Sequence, residues 1–188
     1  MTMEKRYLAP KRCQRLASTR PISLWQPRMR WGQRDSALIL MMFGHGLRAA
    51  EATDLKWAQL NLDHHIFHVL RKRTVSVAIT RSGGCEIRAL RKLKREGPHA
   101  GEFIFASERG AKLSVRGVQE IIDRVSRASG MEELHVHPHT LRHSTGYYLR
   151  DRGADLRVIQ VFLGHDEIQN TQRYVALSAK QFVGLWDD

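Results

Sequence analysis

The sequence predicts a mainly α-helical domain with one small antiparallel β-sheet, an α+β fold. Apolar residues recur at helical spacing over most of the chain, and Ser, Asp and Gly stand where helices start and stop. Only residues 65–80 pattern as strands, as two short runs flanking a basic turn. The chain has 188 residues and 42% hydrophobic content. That suits one well-buried domain with a short arm and is hardly enough for two.

Residues 1 to about 33 are irregular and basic, and Pro10, Pro21 and Pro27 break any long helix. Arg12, Arg15, Arg20, Arg28 and Arg30 suit a phosphate backbone or a solvated arm equally, and Trp25 and Trp31 suit anchoring that arm on the domain. Asp35 and Ser36 mark a helix start, and the A-L-I-L-M-M-F that follows is apolar enough to be buried. Gly44 and Gly46 break this helix. L-R-A-A-E-A-T-D-L starts the next, with Leu47, Ala50 and Leu55 toward the core. Arg48 and Glu51 lie one turn apart on a common side, a spacing that taken alone describes a surface ion pair.

H-I-F-H-V-L and V-S-V-A-I-T read as the two strands, and R-K-R-T between them is a tight turn holding Lys72. A lysine there is ordinarily solvated, but a two-stranded ribbon also fits a DNA groove. After Ser82-Gly83-Gly84, residues Glu86 to Glu96 have helical spacing through Ile87, Leu90 and Leu93. Phe103, Ile104 and Phe105 make a short apolar stop, and S-E-R-G-A-K is a turn. Ser114 caps a helix through about Ala128, with Val115, Val118, Ile121, Ile122 and Val125 inward and Gly130 closing it. H-T-L-R-H-S-T-G-Y-Y-L-R-D-R-G is the next helix. Asp155 starts another that ends at Gly164, and Thr171 to Val175 is one further helical turn. The tail S-A-K-Q-F-V-G-L-W is amphipathic and suits packing on its own domain or on a neighbour.

Lys plus Arg number 31 against 19 Asp plus Glu, a net charge of +12 spread along the whole chain. Such an excess favours a polyanionic partner such as nucleic acid over mere solubility. Cys13 and Cys85 have no zinc-like spacing and make no disulfide framework, which fits a reducing cytoplasm. The run Ala37 to Phe43 is too short to span a bilayer, and no secretion signal is visible.

The stretch from His135 to Tyr174 concentrates the polar chemistry: H-V-H-P-H-T-L-R-H-S, then L-G-H, then T-Q-R-Y. Breaking a DNA strand reversibly without hydrolysis needs a side-chain nucleophile that conserves the bond energy, and a tyrosine serves. Negative charge gathers on the non-bridging phosphate oxygens. Without a metal, guanidinium forks must carry it. The departing 5′ oxygen needs a proton, which a lysine on a turn can supply. The chain offers Arg48, Lys72, His139, Arg142, His165 and Tyr174 in that order.

These motifs resemble those of the tyrosine recombinase (phage integrase) family, and within it the short fimbrial-switch DNA invertases. The matching stretches are G-L-R-A-A-E around Arg48, L-R-K-R around Lys72, H-P-H-T-L-R-H-S around His139 and Arg142, L-G-H at His165, T-Q-R-Y at Tyr174 and the closing F-V-G-L-W-D. The resemblance covers about residues 34–188 and implies a tyrosine recombinase catalytic-domain fold there, with 1–33 as the arm. It implies that Arg48 and Arg142 clamp the scissile phosphate and that His139 is general base or proton acceptor near Tyr174. His165 would bond a non-bridging oxygen, Lys72 would protonate the 5′ oxygen, Glu51 would orient the site from behind Arg48, and Tyr174 would form a 3′-phosphotyrosine. The implied partner is double-stranded DNA at specific recombination sites, bound as a homotetramer with no cofactor, metal or membrane. The implied setting is the bacterial cytoplasm, with the protein nucleoid-associated. Most of the family carry a separate N-terminal helical domain. The fimbrial invertases are as short as this chain, and a truncated copy is the other reading of its length.

Four other readings compete. His135, His137, His139 and His143 crowd as in a zinc site, but no cysteine pair or carboxylate cluster completes the ligands. The readier view is that His135, His137 and His143 bond backbone or phosphate and shape the pocket. Tyr147 and Tyr148 are nucleophiles by chemistry alone, yet their mid-helix place beside Arg150 fits packing. A degenerate recombinase that only binds DNA would not need a tyrosine after L-G-H. A type IB topoisomerase shares the chemistry, but would act as a monomer without exchanging strands.

Overall fold

The apolar run after Ser36 forms α1 (Gly32–Gly44), the helix around which the others pack. The computed structural model describes residues 32–70, 77–81, 84–97, 101–165, 171 and 174. Ala37, Leu38, Met41 and Met42 are wholly buried, between α3 (Gly84–Glu96) on one side and α5 (Pro138–Asp151) on another. An amphipathic helix could not satisfy neighbours on several faces, which is why this one is apolar nearly all round. It begins before Asp35, and Asp35 has a different task from the expected helix start. Its buried carboxylate takes Arg34 at 2.8 Å and Arg124 at 2.6 Å, tying α1 to α4 (Val115–Ala128).

Past α1 come α2 (Ala49–Thr53), a 3-10 turn at Trp57–Gln59 and the sheet. The sheet has three antiparallel strands in the order β1 (Leu60–Asn61), β2 (Ile66–Leu70), β3 (Val77–Arg81). The expected pair is β2 and β3, with Phe67 opposite Thr80 and Leu70 opposite Val77. β1 is an addition. It pairs Leu60 with Phe67 and is too short to show a period-two pattern. Phe67 and Val69 turn into the core, as alternation requires. The turn that carries Lys72 lies outside the described residues, as do residues 1–31 of the arm and the C-terminal tail, while residues 32 and 33 already belong to α1.

α3 buries Ile87, Leu90 and Leu93, at the expected spacing. α4 is capped by Ser114, whose hydroxyl accepts the Gly117 N–H at 3.0 Å. Val118, Ile121, Ile122 and Val125 face inward as expected, whereas Val115 does not. It occupies the first helical position, beyond the edge of the core, and is 50% exposed. α6 (Leu156–Leu163) runs between the predicted ends: the Asp155 carboxylate accepts the Arg157 N–H at 2.7 Å, and Gly164 closes it at φ +61°. The main core spans α1, β2, α3, α4 and α5. Tyr147, Ile159, Leu163 and Tyr174 form a second, smaller cluster at the α5–α6 junction. No helix among the described residues is long and apolar enough to cross a membrane.

Candidate active site

The site begins in the turn after α1. The Leu47 N–H bonds the Met42 carbonyl at 3.0 Å, so the chain reverses within a few residues. Gly46 sits at φ +57°, and a Cβ there would come within 2.5 Å of Leu163 Cδ2. Handedness and crowding therefore both require glycine. The turn delivers Arg48 to the N-cap of α2 and places Glu51 at the third helical position. The Glu51 carboxylate reaches back to accept the Arg48 backbone N–H at 2.9 Å and its Nη1 at 2.8 Å. The ion pair expected at the surface is therefore interior on the acid's side, since the Glu51 side chain is 1% exposed.

Arg142 comes from α5 and is buried. Its Nη1 donates to the Gly46 carbonyl at 2.5 Å, its Nη2 to the Leu163 carbonyl, and Glu51 Oε2 lies 3.9 Å away. Arg48 Nη2 donates to the next carbonyl, Gly164, at 3.1 Å. Both guanidiniums thus rest on the end of α6, where the final carbonyls lack partners within the helix and carry partial negative charge. The glycine cap makes this possible. The His165 N–H bonds the Gln160 carbonyl at 3.1 Å, closing the helix and leaving the Leu163 and Gly164 oxygens directed at the arginines. Among the described residues two guanidiniums converge on one carboxylate, an arrangement suited to binding a phosphodiester.

The residue after the cap, His165, meets both Thr171 and Tyr174. His165 Nδ1 and Thr171 Oγ1 are 2.9 Å apart, and the His165 ring lies nearly parallel to the Tyr174 ring, at 11° and 6.3 Å. Tyr174 is wholly buried. Tyr147 meets it edge-on at 5.1 Å, and the Arg150 Nη1 donates to its carbonyl at 3.4 Å. Tyr147 is thus packing, as its mid-helix place predicts. Gly146 forms the floor of the seat, where a Cβ would stand 2.5 Å from Tyr174 Cζ. The Tyr174 hydroxyl is 2.9 Å from Nδ1 of His143.

Arg48, Glu51 and Arg142 are therefore in one cluster, joined through the end of α6 to His165 and Tyr174. His139 is on the first turn of α5, exposed, with its ring beside that of His137 at 6.4 Å. His137 caps α5 by accepting the Thr140 N–H on Nδ1 at 3.3 Å. Partial burial, and then the neighbouring His139, hold it below the usual histidine range against the opposing pull of Asp123. Sequence reasoning left His143 among the shaping residues and did not single out Gly146. Their signal was spacing: they are three apart on one helix, hence on one face, but the partner for that face arrives from residue 174. Lys72 lies outside the described residues.

A helical domain with a small sheet and two arginines gathered on a helix end beside a buried tyrosine defines a tyrosine recombinase catalytic domain. Solved structures share this fold: the XerA recombinase, with a TM-score of 0.69 at 22% identity over 100% of this chain and 65% of that one, and the XerH site-specific recombinase bound to its difH substrate, with 0.71 at 18% over 95% and 53%. The Phage integrase family model matches residues 23–181, and the chain belongs to that family. It is by that membership a tyrosine-type site-specific recombinase. Its relatives include the type 1 fimbriae regulatory proteins FimE and FimB of Escherichia coli K12. FimE is 37% identical over 83% of this chain and 81% of its own length, and FimB 34% over 82% and 78%. The tyrosine recombinase XerC of Xanthomonas campestris is 36% identical over 83% of this chain, which spans 48% of that protein.

Proposed function

We propose that this protein cleaves and rejoins duplex DNA through a 3′-phosphotyrosine at Tyr174, working on paired specific sites as a homotetramer and inverting or integrating the segment between them. The observation that carries this reading is the pair of guanidiniums held on the end of α6 and sharing Glu51, linked by His165 to a buried tyrosine. The two guanidiniums converge on one carboxylate and on the carbonyls of a helix end, a geometry suited to holding an anion between them. A phosphodiester is such an anion. The relatedness to FimE and FimB favours inversion at a fimbrial switch over integration. The chain divides at about residue 34 into a basic arm and the catalytic domain, and the protein acts in the bacterial cytoplasm on the nucleoid.

In the reaction Arg48 and Arg142 bind the non-bridging oxygens and hold the phosphorus still as charge builds on it. Glu51 keeps the two forks aligned. His165 bonds a non-bridging oxygen, and His139, on the open first turn of α5, serves the phosphate and the proton transfers around it. Lys72 protonates the departing 5′ oxygen. No cofactor or metal takes part in these steps. A suicide DNA substrate, in which the released fragment diffuses away, tests the proposal. The wild-type protein becomes covalently linked to DNA, and Tyr174→Phe binds DNA without linking. Linkage by Tyr174→Phe would refute the assignment.

A further inference from the structure

We propose that His143 is the catalytic base that takes the phenolic proton of Tyr174, an inference that rests on Tyr174 being the nucleophile. An unperturbed phenol ionises near pH 10, so a tyrosine attacking at neutral pH must pass its proton to a base within hydrogen-bond reach. The His143 Nδ1 is 2.9 Å from the Tyr174 hydroxyl, with the two rings tilted by 52°.

The other two histidines are less well placed for this proton. His165 faces Tyr174 plane to plane, and its Nδ1 is engaged with Thr171. His139 is exposed and sits beside His137.

The helix explains how the arrangement is held. Arg142 and His143 are consecutive on α5, so they diverge by about 100° around its axis. Arg142 points to the Gly46 turn and the end of α6. His143 points to the tyrosine. One rigid element thereby sets both the phosphate and the base. Gly146, one turn further on, lets the Tyr174 ring lie directly on the helix backbone and fixes the hydroxyl against His143.

The step balances. A lone pair on the Tyr174 oxygen forms the bond to phosphorus while its proton moves to His143 Nδ1, which becomes imidazolium. The bond from phosphorus to the 5′ oxygen breaks, and that oxygen takes a proton from Lys72. In rejoining, the 5′ hydroxyl attacks, returns its proton to Lys72, and His143 gives its own back to Tyr174.

The test uses two suicide substrates, one natural and one with sulfur in place of the bridging 5′ oxygen at the scissile phosphate. A thiolate leaves without being protonated, so the second substrate bypasses the acid and still needs the base. The expected result for His143→Asn is DNA affinity within about threefold of wild type and cleavage slowed by about 10²-fold or more on both substrates. Lys72→Ala is slowed on the natural substrate alone. His143→Gln is measured alongside, and melting curves of both variants guard against a folding loss. Wild-type cleavage by a folded His143 variant would overturn the proposal, and so would rescue of that variant by the sulfur substrate. Tyr174→Phe is run in parallel. If it still links to DNA, the nucleophile reading fails. If it does not link while His143→Asn cleaves normally, only the role of His143 fails.

Discussion

Glu51 is buried between two arginines, and its removal takes away the carboxylate that both guanidiniums share. Losing one partner of a buried ion pair costs about 3–5 kcal/mol. Glu51→Ala should therefore unfold at markedly lower urea than wild type, and added sulfate should recover more stability for the variant than for wild type. Equal sulfate effects would mean that the arginines do not share an anion site. The arginines and the tyrosine stood out as residue types in order, because phosphoryl transfer without a metal has few alternatives to guanidinium, whereas Glu51 came only with the family resemblance, its spacing from Arg48 alone describing a surface ion pair. His143 did not stand out. Four histidines lie within nine positions of one another, and which of them meets Tyr174 is set by tertiary packing rather than by spacing.

Helix α5 presents one face to the phosphate clamp and another to the tyrosine, and Gly146 is where these demands conflict with helix propensity. Glycine inside a helix is about 1 kcal/mol worse than alanine. Here a Cβ would strike the Tyr174 ring, and overpacking costs about 1–3 kcal/mol. Gly146→Ala should thus destabilise the protein and slow cleavage, while the same change in a Tyr174→Ala background should stabilise it by about 1 kcal/mol. A sign that did not reverse in denaturant melts would place the ring elsewhere. The start of α5 makes a second prediction. His137 accepts a helix N–H and is held below its ordinary pKa by partial burial first. Its folded pKa is therefore lower than its unfolded one, so its contribution is full above the unfolded value near 6.5 and is lost as pH falls through the folded value. Asparagine also caps helices but does not titrate. Melting temperatures should fall more from pH 7 to 5 for wild type than for His137→Asn, and parallel curves would exclude this origin. Most elements were readable from their caps: Ser114, Asp155 and Gly164 each stand where the sequence puts them. The misses have a common cause. β1 exists only because β2 offers it an edge, Val115 is exposed because the core is met only one turn later, at Val118, and Asp35 is buried because Arg124 reaches it from α4.

Across the whole molecule the net charge of +12 lies mostly outside the two arginines of the clamp. Affinity for DNA and catalysis should therefore separate. Affinity comes from many lysine and arginine contacts to phosphates, each releasing a counterion, so binding should weaken by about 10³-fold or more between 50 and 200 mM salt if six or more phosphates are touched. The clamp contributes few of these contacts, but it alone sets the geometry of the reacting phosphorus. Arg142→Lys keeps the charge and loses the planar fork that spans the Gly46 and Leu163 carbonyls. It should bind DNA with an unchanged slope of log affinity against log salt and cleave at least about 10²-fold more slowly, as expected for loss of a preorganised charge stabiliser. Arg48→Gln removes a charge that is partly open to solvent and should lower that slope by about one contact. Fluorescence anisotropy over a salt series, with single-turnover cleavage on the same DNA, measures both quantities. If Arg142→Lys lost affinity and rate in proportion, the clamp would be a binding contact like any other, and the placement of two arginines on one helix end would have no catalytic meaning.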